Sequence, residues 1–274
     1  MTRARSAAPP LAAAPERLSS AKDEKRALPL LGQTRWTPEL LRGVAEGEAR
    51  TLLPLVTRGV EGTIDAAGAA ADRAEQLVAG AMKSEPPDAP ITCSKGCAAC
   101  CNAKVLVVAP EVFRIAAHLR ETLDEEALGL VLGRVREADE KTRGLSRAAR
   151  AEAHVPCPLL DAEGSCSVHP VRPLVCRSWT SYDAGACERY AQAPSGTLSP
   201  PQYAVGYELT QAVLAGLGKA CFDAGRDGTP LELNAALRIG LERPNAGERW
   251  HRRLPVLQMA RDAEWLSRFG PRRG

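Results

Sequence analysis

The chain has 274 residues, 45% hydrophobic and 25% charged, enough for one sizeable core with a helical extension. Its net charge of +3, from 36 basic and 33 acidic residues spread along the sequence, leaves no basic stripe for nucleic acid and no acidic tail. No run of about 18 apolar residues exists, so no membrane-spanning helix is expected.

Aromatic residues make up only 4%, and Ala, Leu and Val supply most of the apolar content. Such a core suits close-packed helices better than stacked sheets. The expected fold is therefore mainly α, with helices packed around an irregular cysteine-rich centre and little β structure. Residues 1–35, rich in Ala, Pro, Ser and charge, are expected to be disordered. Arg3 and Arg5 precede no apolar h-region, so no secretory signal is read and a cytoplasmic, reducing setting is expected.

Thr37 followed by Pro38 predicts a helix start, and Pro54 a break or kink. Val60, Ile64, Ala67, Ala71, Ala74, Leu77 and Ala81 recur at helical spacing. Residues 36–90 therefore form a helical N-terminal region that ends in the Pro-rich linker 85–90. Lys104–Val108 reads as one short strand. Pro110 opens a helix with Val112, Ile115, Ala116 and Leu119 on its apolar face and Glu111, Arg114 and His118 on its polar face. Leu128, Val131, Leu132 and Val135 mark another helix, ending before Arg143–Gly144. Residues 155–183 carry four prolines and Gly164 and read as loops, with a tight turn at 161–164. Ser199–Pro200 starts a further helix to about Asp223. Residues 231–243 and 246–268 complete a helical C-terminal region, 191–274.

The chemistry lies between these regions. Cys93, Cys97, Cys100 and Cys101 fall within nine positions, and Cys157, Cys166, Cys176 and Cys187 follow. In a reducing compartment such clusters are metal ligands or redox groups sooner than disulfides, which are the alternative. Cys100 and Cys101 are adjacent and diverge on any regular element, so one tetrahedral site does not comfortably take both. Eight thiols permit two sites, or one site with spare thiols. Zinc and a 4Fe-4S cluster both accept four cysteines. Lys95, Lys104, Arg172, Arg177 and Arg189 are near enough in sequence to offset thiolate charge, Arg172 and Arg177 foremost.

Cys93–Cys101, Val105–Glu111 and the block Cys157-Pro-Leu-Leu-Asp-Ala-Glu-Gly-Ser-Cys166 through Arg172-Pro-Leu-Val-Cys176-Arg177 resemble the YkgJ-like CxxCxxCC family, a zinc- or iron-chelating domain. The resemblance covers roughly residues 91–190. It implies metal ligation by Cys93, Cys97, Cys100, Cys101, Cys157, Cys166 and Cys176, with Cys187 as an eighth member found in some relatives. One departure stands out: the first gap holds Ser94, Lys95 and Gly96 where the family has two residues, and Gly96 is suited to absorb the extra length. Some relatives carry the domain within a flagellin lysine methylase.

The remaining candidates have blander readings. Cys221 lies on a seam with Tyr203, Tyr207, Thr210, Leu214 and Leu217 and is expected in the core. His118 and His251 are expected at the surface. His154 is a weak candidate. His169 stands where relatives carry an aromatic ring. No phosphate loop, dinucleotide fingerprint, His-Glu-x-x-His or Gly-x-Ser-x-Gly motif occurs. Three functions stay open: a protein whose zinc or iron (or iron–sulfur) holds the centre together, a redox or metal-dependent enzyme related to methyltransferases, and a zinc-ordered module for a protein partner.

Overall fold

Helix α1, Pro38–Val56, begins where the Thr37 hydroxyl accepts the Leu40 amide at 3.3 Å, with Pro38 at its first position. In the computed structural model, which describes residues 30–31 and 36–269, Pro54 lies in the last turn of α1. It has no N–H to donate to the Arg50 carbonyl one turn back, and the helix ends two residues on. Gly59, with φ of +108°, turns the chain into α2, Val60–Ser84. The alanines Ala66, Ala67, Ala70, Ala71 and Ala74 line the buried face of α2. Helix α8, Ala204–Asp223, packs against both α1 and α2. The approach to α1 is close: a Cβ on Gly216 would lie 2.7 Å from the Ala45 carbonyl oxygen.

A second layer joins α3 (Ala109–Thr122), α4 (Glu125–Thr142) and α9 (Leu233–Glu242), with α3 also packed on α2. Val112, Ile115, Ala116 and Leu119 of α3 are buried as the periodicity predicts. Two minimal sheets stitch the layers. β1 (Leu30–Leu31) runs parallel to β3 (Gln202–Tyr203), with Leu30 opposite Gln202. β2 (Leu106–Val107) runs antiparallel to β4 (Leu231–Glu232), with Leu106 opposite Glu232. The expectation of disorder over 1–35 lies outside the described residues apart from Leu30–Leu31.

Several elements differ from expectation. Helix α5, Arg147–Glu152, and helix α7, Ala184–Gln192, were not foreseen; Ser146 and Asp183 cap them through the Ala149 and Ala186 amides. The helix expected from Ser199 starts at Ala204, because Gln202–Tyr203 is taken up in pairing. Likewise β4 takes the first two residues of the helix expected at 231. The stretch 246–268 is divided into α10 (Ala246–His251), a 3-10 turn at Gln258–Ala260, and α11 (Ala263–Phe269). Arg253 and Pro255 lie in the gap, the former at a φ of +62° that no helix allows.

Candidate metal centre

Between the helices, residues 91–103 and 153–187 form a layer of turns with two short helices, α6 (Leu174–Ser178) and α7. The first loop is built from tight turns: the Cys97 amide donates to the Ser94 carbonyl at 3.1 Å, and the Cys101 amide to Ala98 at 2.9 Å. Gly96, at φ of +88°, takes up the extra residue in the left-handed region open to glycine. Cys100 and Cys101 then fall in a single 3-10 turn, Ala99–Asn102.

The second loop is a hairpin. Leu160 pairs with Cys166, and Asp161 Oδ1 accepts the amides of Glu163 and Ser165, making the turn expected at Gly164, whose φ is +75°. Cys157 and Cys166 flank this hairpin and, with Cys176 on α6, pack against the main apolar core. Cys93 lies elsewhere: its Sγ accepts the Ser181 amide at 3.3 Å, while the Thr92 amide donates back to the Ser181 carbonyl at 2.8 Å. The Ser181 hydroxyl also stands beside the Cys187 thiol, on α7, and α7 packs against the 99–102 turn.

All eight clustered cysteines are thus gathered in one neighbourhood, and each is a free thiol. Their protonation records the crowding. Burial pushes the Cys157 thiol up to about 11, with Cys166 and Cys100 adding to it. Burial also raises Cys93, Cys166, Cys176 and Cys187, and neighbouring cysteines add to the rise in each. Cys100 and Cys101 share a hydrogen bond, which lowers Cys100 to about 7 and raises Cys101. The pair therefore loses one proton readily and the second with difficulty. Negative charges crowded in this way are disfavoured alone and favoured beside a bound cation.

Two arginines enter the cluster. The Arg172 guanidinium favours the thiolates of Cys93, Cys100 and Cys166. Arg150, only 2% exposed, favours Cys157 and donates from Nη1 to the Asn102 carbonyl at 2.8 Å, which holds the end of the cysteine turn. The Nε atoms of both arginines are buried and lack a hydrogen-bond partner. A neutral thiol is a poor acceptor and a metal-bound thiolate a good one, so these orphaned donors suit a charged sulfur centre. The donor chemistry fits a soft metal. The spacing is not closed: among the described residues, no three His, Cys, Asp or Glu side chains are grouped to hold one metal ion. A metal-organised centre is therefore an expectation that the arrangement of side chains does not itself display.

The other sequence candidates divide. Arg172 enters the cluster, whereas Arg177 turns away to Glu75 and to the Arg172 and Pro170 carbonyls. Lys104 is buried in an ion pair with Asp262, and Arg189 pairs with Asp183. Cys221 is wholly buried in the core, as its seam predicts. His169 has Arg172, Arg177 and Glu75 as its charged neighbours. His251 departs from the expected surface position: it is half-buried, with Nε2 3.1 Å from the Val56 carbonyl oxygen. His118 is likewise half-buried.

Two residues escaped the sequence reading. Arg150 carries no signal in the sequence that sets it apart from a surface arginine. Helical periodicity places Glu111 on a polar face, yet it is only 4% exposed. Its two oxygens accept the Val108 amide at 3.0 Å and the Leu174 amide at 2.8 Å, which ties the start of α3 to the helix that carries Cys176. The signal was present, since a glutamate three residues into a helix is a capping position.

The fold and site define a class: a helical protein enclosing a layer of turns dense in free thiols. More particularly, residues 92–194 match the CxxCxxCC family model, whose description is "Putative zinc- or iron-chelating domain". The match covers this segment alone, and its description supports metal binding in general terms. No curated protein and no solved structure matches the chain. Among the described residues no helix is long and apolar enough to cross a membrane.

Proposed function

We propose that the protein binds zinc or iron through Cys93, Cys97, Cys100, Cys101, Cys157, Cys166, Cys176 and Cys187, and that the metal fixes the segment between residues 93 and 187. One observation carries this reading. Eight thiols from separate stretches of chain converge beside Arg150 and Arg172, whose buried Nε donors lack acceptors. A thiolate centre supplies those acceptors and the negative charge that the guanidinium groups compensate.

Zinc would supply a tetrahedral cross-link, and an iron–sulfur cluster an electron carrier. The chain's own residues have distinct tasks. Arg150 and Arg172 offset thiolate charge and donate N–H to sulfur. Arg150 also fixes the 99–102 turn through Asn102. Glu111 sets the start of α6 and hence the place of Cys176. The protein works in a reducing compartment such as the cytoplasm, where these thiols stay available.

The test is elemental analysis of the full chain purified without oxygen. Zinc or iron should be present in stoichiometric amount, and chelation should expose the thiols to a thiol reagent and lower the helical circular dichroism of α6 and α7. A metal-free protein whose thiols and spectrum ignore chelators and added metal would overturn the reading.

A further inference from the structure

The C-terminal ends of α8 and α10 meet around a cavity of about 210 Å³ that none of the cysteines lines. Each end is closed by a residue in the left-handed region. Gly225, at φ of +67°, follows α8; its amide donates to the Phe222 carbonyl and the Arg226 amide to the Cys221 carbonyl, both at 2.8 Å. Glycine is the usual residue for such a cap. Arg253, at φ of +62°, follows α10, and its amide donates to the Trp250 carbonyl at 2.9 Å. A long side chain is seldom held in this conformation. Its guanidinium reaches across to the other helix end: a Cβ on Gly225 would lie 2.9 Å from Arg253 Nη2.

Arg226, Arg253 and Arg261 line the cavity against a single carboxylate, Asp227. That carboxylate is already engaged. Its Oδ1 accepts the Thr229 amide at 3.0 Å, and its Oδ2 accepts Arg261 Nη2 at 2.7 Å and Nε at 3.1 Å. Arg226 and Arg253 pair with no carboxylate among the described residues. Arg226 donates from Nη1 to the Ala224 carbonyl at 3.1 Å and has Nη2 3.2 Å from His251 Nδ1, while its buried Nε lacks a partner. The Arg253 side chain makes no hydrogen bond among the described residues. Burial lowers the Arg226 guanidinium, and the Arg253 charge lowers it further. Two cations held this near without a counter-ion are unfavourable alone and favourable around an anion.

We propose that this cavity binds the phosphate group of a small phosphorylated molecule. Guanidinium forks match phosphate oxygens in geometry as well as in charge. The two uncompensated cations suit the dianion of a phosphate monoester, whereas a carboxylate would neutralise only one of them. Trp250, Leu254 and Leu257 also line the wall, so apolar surface lies beside the charge. The organic part of an ester covers that surface, and inorganic phosphate would leave it bare. At about 210 Å³ the cavity is smaller than sites for drug-sized ligands, roughly 300–1,000 Å³, so the ester is a small one. The site is independent of the metal-binding reading, since it uses no thiol.

The test is calorimetric titration of the full chain with inorganic phosphate and with glycerol phosphate at low ionic strength, with sodium acetate as the blank. Both phosphates should bind at one site, glycerol phosphate the more tightly. Arg253→Gly should weaken both by about tenfold to a hundredfold. The same variant should melt no lower than the wild-type chain, because glycine accepts the left-handed conformation without strain. Arg252→Ala removes an exposed charge one residue away, outside the cavity, and should leave binding within about twofold. Binding of neither phosphate, unchanged binding by Arg253→Gly, or equal losses in Arg252→Ala and Arg253→Gly would overturn the site. Inorganic phosphate bound as tightly as glycerol phosphate would overturn the assignment to an ester and make free phosphate the ligand.

Discussion

Helices α1, α2 and α8 and the cysteine layer are held by different forces. The helical region closes over Ala66, Ala70, Ala74, Leu52, Val213 and Leu217, all at 2% exposure or less, with glycine at the nearest crossing. Its stability follows apolar area and close packing. The cysteine layer has few such side chains. It is pinned by buried polar groups: Glu111 on two amides, Arg150 on Asn102, and Lys104 on Asp262 and the Leu145 carbonyl. Turns leave many backbone groups unpaired, and polar anchors fix them in direction where apolar contacts fix only distance. A layer pinned in this way can hold eight thiols in one region without collapsing them into a dry core.

The largest expected effect breaks one of those anchors. Lys104 and Asp262 have side chains 5% and 4% exposed. Lys104→Met leaves the Asp262 carboxylate buried without its cation and should cost about 3–5 kcal/mol in urea unfolding. Lys104→Met combined with Asp262→Asn should recover more than half of that loss, since the amide keeps an oxygen for the Trp265 amide that Asp262 accepts at 2.7 Å. A loss below about 1 kcal/mol for the single variant would show that apolar packing, not buried charge, governs this layer.

The helical region should respond to volume instead. Gly216→Ala places a methyl group against the Ala45 carbonyl oxygen and Glu48 Cβ, each 2.7 Å away, so α8 must move off α1. The expected cost is about 1–3 kcal/mol, and it should be the same with and without a chelator. A cost that depends on metal would mean that the two regions fold as one unit.

The sequence carried unequal amounts of the two regions. Helices α1, α2 and α3 were legible because Thr37–Pro38, the alanine spacing and Pro110 are local signals that tertiary packing reinforces. The cysteines were legible as a set because thiols at such density have few other uses. Which of them pack against the core and which lie exposed was not, because it depends on where each loop comes to rest, and no local pattern encodes that. Arg150 was invisible for the same reason: arginine is ordinarily a surface residue, and its burial follows from α5, itself unforeseen. Glu111 shows a different failure. Helical periodicity sorted it by its charge onto the solvent face, although its place at the start of α3 marks a cap turned inward.

Glu111 also gives the smallest and most discriminating test, because it separates burial from hydrogen bonding within one residue. Burial pushes its carboxyl up to about 7 against the Leu174 and Val108 amides and the charges of Arg177 and Arg114, all of which pull it down. With a folded value above the 4.5 of the free group, the folded state holds a proton that the unfolded chain has released. The stability from that proton is present in full below the lower value, is lost as pH rises toward about 7, and changes no further above it. Glu111→Gln removes this titration and leaves the thiol ionisations common to both proteins. The stability of the wild-type chain relative to Glu111→Gln should therefore fall between pH 5 and pH 7, by up to about 1.4 kcal/mol per pH unit. Urea midpoints for the two proteins at those pH values check it. A difference that grows with pH would mean that the two amides and the arginines outweigh burial, and that the tie between α3 and α6 is a fixed carboxylate anchor.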